Sequence, residues 1–257
     1  MTKIINKIKQ QILNAAHSAG EGHIPSAFSI LDLVWVLYDR VLKFDANFPH
    51  KLNLDHFVLS KGHASLALYG VLSEKNFFPK EKLNTFCQYD SFLGGHPDRN
   101  KVPGVVASTG SLGHGFPIAL GIALASKIQS IDNRIFCLVG DGECNEGTIW
   151  ETALLGSHHK LANLFCIVDY NHSTDRALEV GDLAQKFIAF GWDSLVINGH
   201  DHEEIYHALS YKSDGRPVAI IAKTIKGAGI KDIENTPAWH HRQPNTDELA
   251  AFIKELA

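Results

Sequence analysis

Two apolar runs end on polar residues thirty positions apart, and no other feature constrains the chain as tightly. Arg134-Ile135-Phe136-Cys137-Leu138-Val139 runs into Gly140-Asp141-Gly142, and the run from Leu164 to Val168 ends in Asp169-Tyr170-Asn171. Each has the length and unbroken apolarity of a strand covered on both faces. The stretch between them, from Thr148 to Leu161, reads as a helix, so the whole is one βαβ unit. Ligands of such sheets bind outside the carboxyl ends of the strands, where Asp141 and Asn171 both fall. An acid and an amide there suit a hard cation with oxygen ligands, and the flanking glycines let backbone come close to a phosphate.

The remaining pattern extends this unit in both directions. The spacing predicts helices over about 3–17, 29–42, 64–75, 80–88 and 111–128, with Ile4, Ile5, Ile8 and Ile12 on one face of the first. It then predicts, in order, strand 134–139, helix 146–160, strand 163–169, helix 182–190, strand 193–198, helix 203–212 and strand 217–223, each end good to about two to four residues. Strands alternating with helices give an α/β fold, a parallel sheet with helices on both faces. No linker, repeat or low-complexity tract divides residues 1–257, so a single domain is expected.

Several function classes fall away on composition. A net charge of −4 with no Lys/Arg cluster leaves no footprint for nucleic acid. The opening MTKIINKIKQQILN lacks the continuous apolar core of a signal peptide. The longest apolar stretch, Phe116 to Ala125, is broken by Pro117 and is too short to cross a bilayer, so no membrane association is expected. The four cysteines form no C-x-x-C pair, and Cys137 and Cys166 sit inside strand-like runs, which fits a reducing, cytoplasmic setting.

Fifteen histidines are many for this length, and several follow glycine: His23, His63, His96, His114 and His200. A loop imidazole beside glycine can face a ligand, although each one taken singly is as readily a solvated side chain. His200-Asp201-His202 and His158-His159 lack the companions of a zinc motif and read as structural. Gly110-Ser111-Leu112-Gly113-His114-Gly115 precedes a Gly/Ala-rich helix, whose free N–H groups would attract diphosphate oxygens. Asp141 alone could cap a helix and Asn171 alone could belong to a turn. Two strand ends carrying them together are not accounted for that way.

Along nearly its whole length the chain resembles the diphosphate-binding part of transketolase. The likeness rests on Gly20-Glu21-Gly22-His23-Ile24, Phe57-Val58-Leu59-Ser60-Lys61-Gly62-His63, Gly94-Gly95-His96-Pro97-Asp98 and Ser108-Thr109-Gly110-Ser111-Leu112-Gly113. The Gly-Asp-Gly block and Asn171 follow, then Phe190-Gly191-Trp192, Asn198-Gly199-His200-Asp201, Lys223-Thr224-Ile225-Lys226-Gly227 and Pro237-Ala238-Trp239-His240-His241. The resemblance implies thiamine diphosphate held through Mg²⁺ or Ca²⁺ by Asp141, Asn171 and the main-chain carbonyl near Ser173. It implies cofactor contacts from His63, Gly110, Ser111, Leu112, Gly142, Glu143 and His240. His23, His63, His96 and His240 would act on sugar or sugar-phosphate substrates, binding hydroxyls and assisting proton transfer, work that suits imidazole.

Two departures stand out. Asn171-His172-Ser173-Thr174-Asp175-Arg176 is one residue shorter than the family's usual loop, which bears on the Ser173 ligand. The pyrimidine-binding and C-terminal domains of full-length relatives are also missing from the sequence. Relatives of this length are halves of a split enzyme, so the resemblance implies a heterotetramer formed with a separately encoded C-terminal subunit. Two alternatives stay open: another thiamine-diphosphate enzyme, such as one resembling deoxyxylulose-phosphate synthase, and a non-catalytic scaffolding subunit.

Overall fold

The structure, a computed structural model, describes residues 2–49, 51–175 and 177–257. Its centre is a sheet of five parallel strands in the order β1-β2-β3-β5-β4. They are β1 (His56–Leu59), β2 (Ile135–Gly140), β3 (Leu164–Tyr170), β4 (Asp193–Asn198) and β5 (Val218–Lys223). The register pairs Leu138 with Ile167 and Ile167 with Ile220, so the middle of the sheet is apolar throughout. The edge strand β4 is the least covered, with Val196 exposed.

Helices cover both faces, as the alternating pattern predicts. On one side lie α1 (Thr2–Ala19), α2 (Ile24–Val36), α3 (Ser65–Glu74), α7 (His202–Leu209) and α8 (Thr246–Glu255), joined in one apolar core with Phe57, Leu138, Ile167 and Ile220. On the other lie α4 (Gly115–Ile128), α5 (Gly147–His158) and α6 (Leu183–Ala189), packed on Val58, Cys137, Val139, Cys166 and Ala219. Each strand thus sends alternate residues into two cores. Every residue of α2 is buried, including Ser26, Ser29 and Asp32, which marks a helix enclosed on all sides rather than lying on a surface. Pro25 in its first turn suits a position whose N–H needs no partner.

Several expectations on element bounds need correction. The helix expected over 29–42 starts at Ile24 and gives way at Leu37–Val41 to a π-helical turn. The segment expected as a helix over 80–88 is a short 3₁₀ stretch, Lys80–Thr85. The helix expected from 111 starts at Gly115, leaving the Gly110-Ser111-Leu112 turn free ahead of it. Two elements escaped the pattern: β1 has only four residues, and α8 is half polar, fixed by a capping box between Asn245 and Glu248. No helix among the described residues is long and apolar enough to cross a membrane.

Candidate functional site

Parallel strands place all their carboxyl ends on one edge, and here that edge opens into a cavity of about 870 Å³, within the usual range for small-molecule sites. Loops after β1, β2, β3 and β5 contribute Lys61 and His63, Asp141 and Gly142, Asn171 and Ser173, and Lys226 respectively. His23 enters from the N-terminus of α2, and His240 from the segment before α8.

The floor is acidic and crowded with hydrogen bonds. Asp141 is 3% exposed, and one backbone N–H, that of Ser173, bonds both Asp141 Oδ2 (2.9 Å) and Asn171 Oδ1 (3.1 Å). Ser173 Oγ also donates to Asp141 Oδ1 at 3.1 Å, and Gly142 N–H to the same oxygen at 2.7 Å. Burial raises the Asp141 carboxyl above its ordinary value, and the charge of Asp169 pushes the same way. A divalent cation between the Asp141 and Asn171 oxygens would offset both effects, so the donor set fits a hard metal. Ser173 sits against this pair and presents its N–H and hydroxyl to Asp141; Arg176, the end of the shortened loop, lies outside the described residues.

Behind this floor sits Asp169, 0% exposed. Its Oδ1 accepts from Ser29 Oγ at 2.7 Å and from Thr224 Oγ1, and its Oδ2 accepts from Lys61 Nζ and from Asn171 Nδ2 at 3.0 Å. Ser29 Oγ in turn accepts from Asn171 Nδ2 at 3.0 Å. A second buried acid, Asp32, bonds His200 Nδ1 (2.9 Å) and His202 Nε2 (2.7 Å). Burial pushes its carboxyl up, but the two imidazoles outweigh that and hold it at about 2. His200 Nε2 accepts the N–H of Ile225, one residue before Lys226. His200 therefore ties Asp32 to the loop after β5.

The opposite wall is a histidine cluster. The His23 ring lies 5.1 Å from His63, 5.0 Å from His240 and 4.7 Å from His241, centroid to centroid. His23 Nδ1 approaches the His240 carbonyl at 3.0 Å; a carbonyl only accepts, so Nδ1 carries the proton and Nε2 is a free acceptor. Lys226 Nζ lies 3.0 Å from His240 Nδ1, and an ammonium only donates, so the neutral His240 ring carries its proton on Nε2. Burial, then the charge of Lys226, lowers His240 to about 4; burial, then Lys61, lowers His63 to about 2. Burial also lowers His23, so the three rings are neutral near pH 7. Lys226 drops to about 8, through burial and then the charge of Lys61, and among the described residues it makes no ion pair. Such a cation is suited to an anionic ligand.

Other expected residues take different places. Gly110 and Leu112 line the cavity, and Gly62 packs so closely on this turn that a Cβ would lie 2.9 Å from Gly110 N. Ser111 is exposed between them, its hydroxyl 3.3 Å from His114 Nδ1. His96 is exposed, with its ring against Gly110, where a Cβ would meet Cδ2 at 3.1 Å, and lies near enough to His23 for its charge to act there. Glu143 borders the cavity with its carboxylate engaged by the N–H groups of Gly113 (2.8 Å) and Gly140 (3.1 Å) and by Ser60 Oγ. It fastens the 110–113 turn to the end of β2. Lys61, Asp169 and Lys226 were not singled out from sequence; a charged residue closing an apolar run is a signal for Asp169 and Lys61, whereas Lys226 lies three residues beyond β5 and carries no such mark.

Comparison with known proteins adds an independent line. Residues 1–256 match the family model described as transketolase, thiamine diphosphate binding domain. The chain is 39% identical over 251 residues to an apulose-4-phosphate transketolase subunit of Actinobacillus succinogenes, covering 95% of this chain and 91% of that protein. It is 35% identical over 257 residues to a 6-deoxy-6-sulfo-D-fructose transketolase subunit, SqwG, of a Clostridium species, covering 98% and 94%. Among solved structures, transketolase from Leishmania mexicana superposes with a TM-score of 0.92 at 27% identity, over 99% of this chain and 41% of that one.

Proposed function

This chain belongs to the transketolase family, through its thiamine-diphosphate-binding domain, and from that premise we propose that it is the N-terminal subunit of a split transketolase. In this reading it transfers a two-carbon ketol unit from a ketose to an aldose, phosphorylated or not, together with a separately encoded C-terminal subunit. The observation that carries it is the convergence of Asp141 and Asn171 on a cavity whose far wall is neutral imidazole.

Asp141 Oδ, Asn171 Oδ1 and the Ser173 segment would hold Mg²⁺ or Ca²⁺, and Lys226 would receive diphosphate oxygens. The bound cofactor supplies a thiazolium ring that acts as an electron sink while a carbon–carbon bond beside a carbonyl breaks or forms. This chain's residues do the rest of the work on their side of the cavity. His23 Nε2 accepts a proton or hydrogen bond from a sugar hydroxyl, and His240 Nε2–H donates one, so a single hydroxyl can be held from both sides. His63 adds a third neutral ring, and the Gly110-Ser111-Leu112 turn, fixed by Glu143, closes one flank. Neutral rings suit this task, because an imidazolium could not accept the hydroxyl proton.

A partner chain is supported by one surface. Helices α4 and α5 pack side by side and leave Ile118 (41% exposed), Leu154 (58%) and Leu155 (45%) uncovered. Three large apolar side chains exposed on two neighbouring helices support a protein contact there, and two copies of each chain would make a heterotetramer. Four free cysteines, three of them buried, support a cytoplasmic setting. Ketol transfer assayed with this chain alone, with its purified C-terminal counterpart alone, and with their mixture tests the reading. Activity is expected in the mixture alone; robust turnover by this chain by itself, or none in the mixture with cofactor and metal present, would overturn it.

A further inference from the structure

A primary amide has two ends of similar shape and opposite hydrogen-bonding character, so an asparagine serves a cation only if something decides which end faces it. Asn171 has such a device behind it. Its Nδ2 donates to Asp169 Oδ2 at 3.0 Å and to Ser29 Oγ at 3.0 Å, both buried. Neither contact tolerates a flipped amide. A carboxylate has no proton to give, and the Ser29 hydroxyl has already spent its own on Asp169 Oδ1 at 2.7 Å. With Nδ2 held at the rear, Oδ1 is left facing the cavity, where it accepts the Ser173 N–H.

Asp169 is itself pinned. Thr224 Oγ1 and Ser29 Oγ occupy one oxygen, and Lys61 Nζ and Asn171 Nδ2 occupy the other, so all its acceptor positions are filled by groups from the loop after β1, from α2, and from the ends of β3 and β5. Lys61 balances its charge, which leaves Asp141 to supply the net negative charge of the floor. We propose that Asp169 is a positioning residue that sets the Asn171 amide with its oxygen toward the bound cation, and so determines how tightly this site holds a divalent metal. This rests on the reading of Asp141 and Asn171 as the metal site.

Asp169→Asn is the direct probe. An amide at this position turns its NH₂ either to Lys61 and Asn171 or to the Ser29 and Thr224 hydroxyls, and in both cases it removes the charge that holds Asn171 Nδ2, so the anchor of the Asn171 amide is weakened. Binding of Mn²⁺ to the full chain in the presence of thiamine diphosphate, followed by electron paramagnetic resonance, is expected to weaken by about 10–100-fold, the usual effect of losing a group that orients a metal ligand. Asp169→Asn combined with Asn171→Asp keeps the net charge and puts a carboxylate, alike at both ends, beside the cation. Orientation then no longer matters, and most of the lost affinity is expected back. Unchanged affinity in Asp169→Asn, or a loss that the double variant does not recover, overturns the proposal, the second outcome leaving Asp169 a merely structural residue.

Asp141→Asn in the same titration separates the two readings. If it retains metal binding, the metal site itself is misplaced; if it loses binding while Asp169→Asn keeps it, only the role of Asp169 fails. Should Asp169→Asn not fold, the unaltered protein still decides. The side-chain NH₂ protons of Asn171 are expected to exchange with water far more slowly than those of the exposed Asn145, and equal rates would overturn the proposal.

Discussion

The Nδ1–H of His23 is bonded to the main-chain carbonyl of His240 at 3.0 Å, so each of these rings is set by a group that leaves its Nε2 for the cavity. The second is set by Lys226, whose ammonium takes the Nδ1 lone pair of His240. Two neighbouring imidazoles thereby present unlike edges, an acceptor and a donor.

Long-range ¹H–¹⁵N spectra of the histidine rings at pH 7 are expected to show His23 protonated at Nδ1 and His240 at Nε2. In Lys226→Met the His240 ring loses the partner that fixes it and should show a mixture of both forms with a pKa moved up from about 4. The reverse tautomers in the unaltered protein would remove the proposed division of labour.

Asp141→Asn should separate stability from binding. The carboxyl is buried and faces Asp169, so removing its charge is expected to raise the stability of the cofactor-free chain by on the order of 1 kcal/mol. Calorimetry should at the same time show that metal-dependent binding of thiamine diphosphate is lost, since an amide replaces the one anionic ligand of the proposed metal site.

Stability should fall on the acid side. In an unfolded chain histidine protonates near pH 6.5, whereas burial keeps His63 neutral to about pH 2 and His240 to about pH 4. Between those values the unfolded state binds the extra protons, so stability is full above about pH 6.5 and is lost as the pH drops. Each site adds a slope of at most about 1.4 kcal/mol per pH unit. Urea denaturation at pH 7, 6 and 5 should show the decline, and His63→Gln should flatten it.

Gly62→Ala would place a Cβ 2.9 Å from Gly110 N and 3.0 Å from Thr109 C, atoms of backbone that cannot turn aside. A destabilisation of about 1–3 kcal/mol is expected, as for other over-packed sites. Because the displaced turn borders the cavity, cofactor affinity should fall as well, measurable in the same calorimetric titration.

Leu154→Glu with Leu155→Glu should abolish assembly with the C-terminal subunit on size-exclusion chromatography. The two side chains are uncovered in this chain, so its own stability should stay within about 0.5 kcal/mol of the parent. Normal assembly would move the interface off α4 and α5.

The parallel core was legible because β2, β3 and β5 are long unbroken apolar runs, and Asp141 and Asn171 stood out by closing two of them. β1 was not, since four residues carry too little period to be told from a loop. His96 shows the limit of local reading. Gly95-His96-Pro97 looks like Gly22-His23, yet only the fold shows that the first ring packs against Gly110 while the second sits among His63, His240 and His241. The brace from Asp32 to His200 and His202 joins residues 168 and 170 positions apart, a distance over which no sequence period exists.

The contact between Gly62 and Gly110 also bears on how such chains diversify. A side chain gained at Gly62 runs into the backbone of Gly110, and one gained at Gly110 runs into the ring of His96. Gly62 is held the more firmly of the two, because main-chain atoms cannot turn aside as a ring can. Change around the cavity enters more readily where side chains already stand clear of the main chain. The rim offers such a place, where His241 packs on His23 at 4.7 Å and lies 3.3 Å from the carboxylate of Glu21.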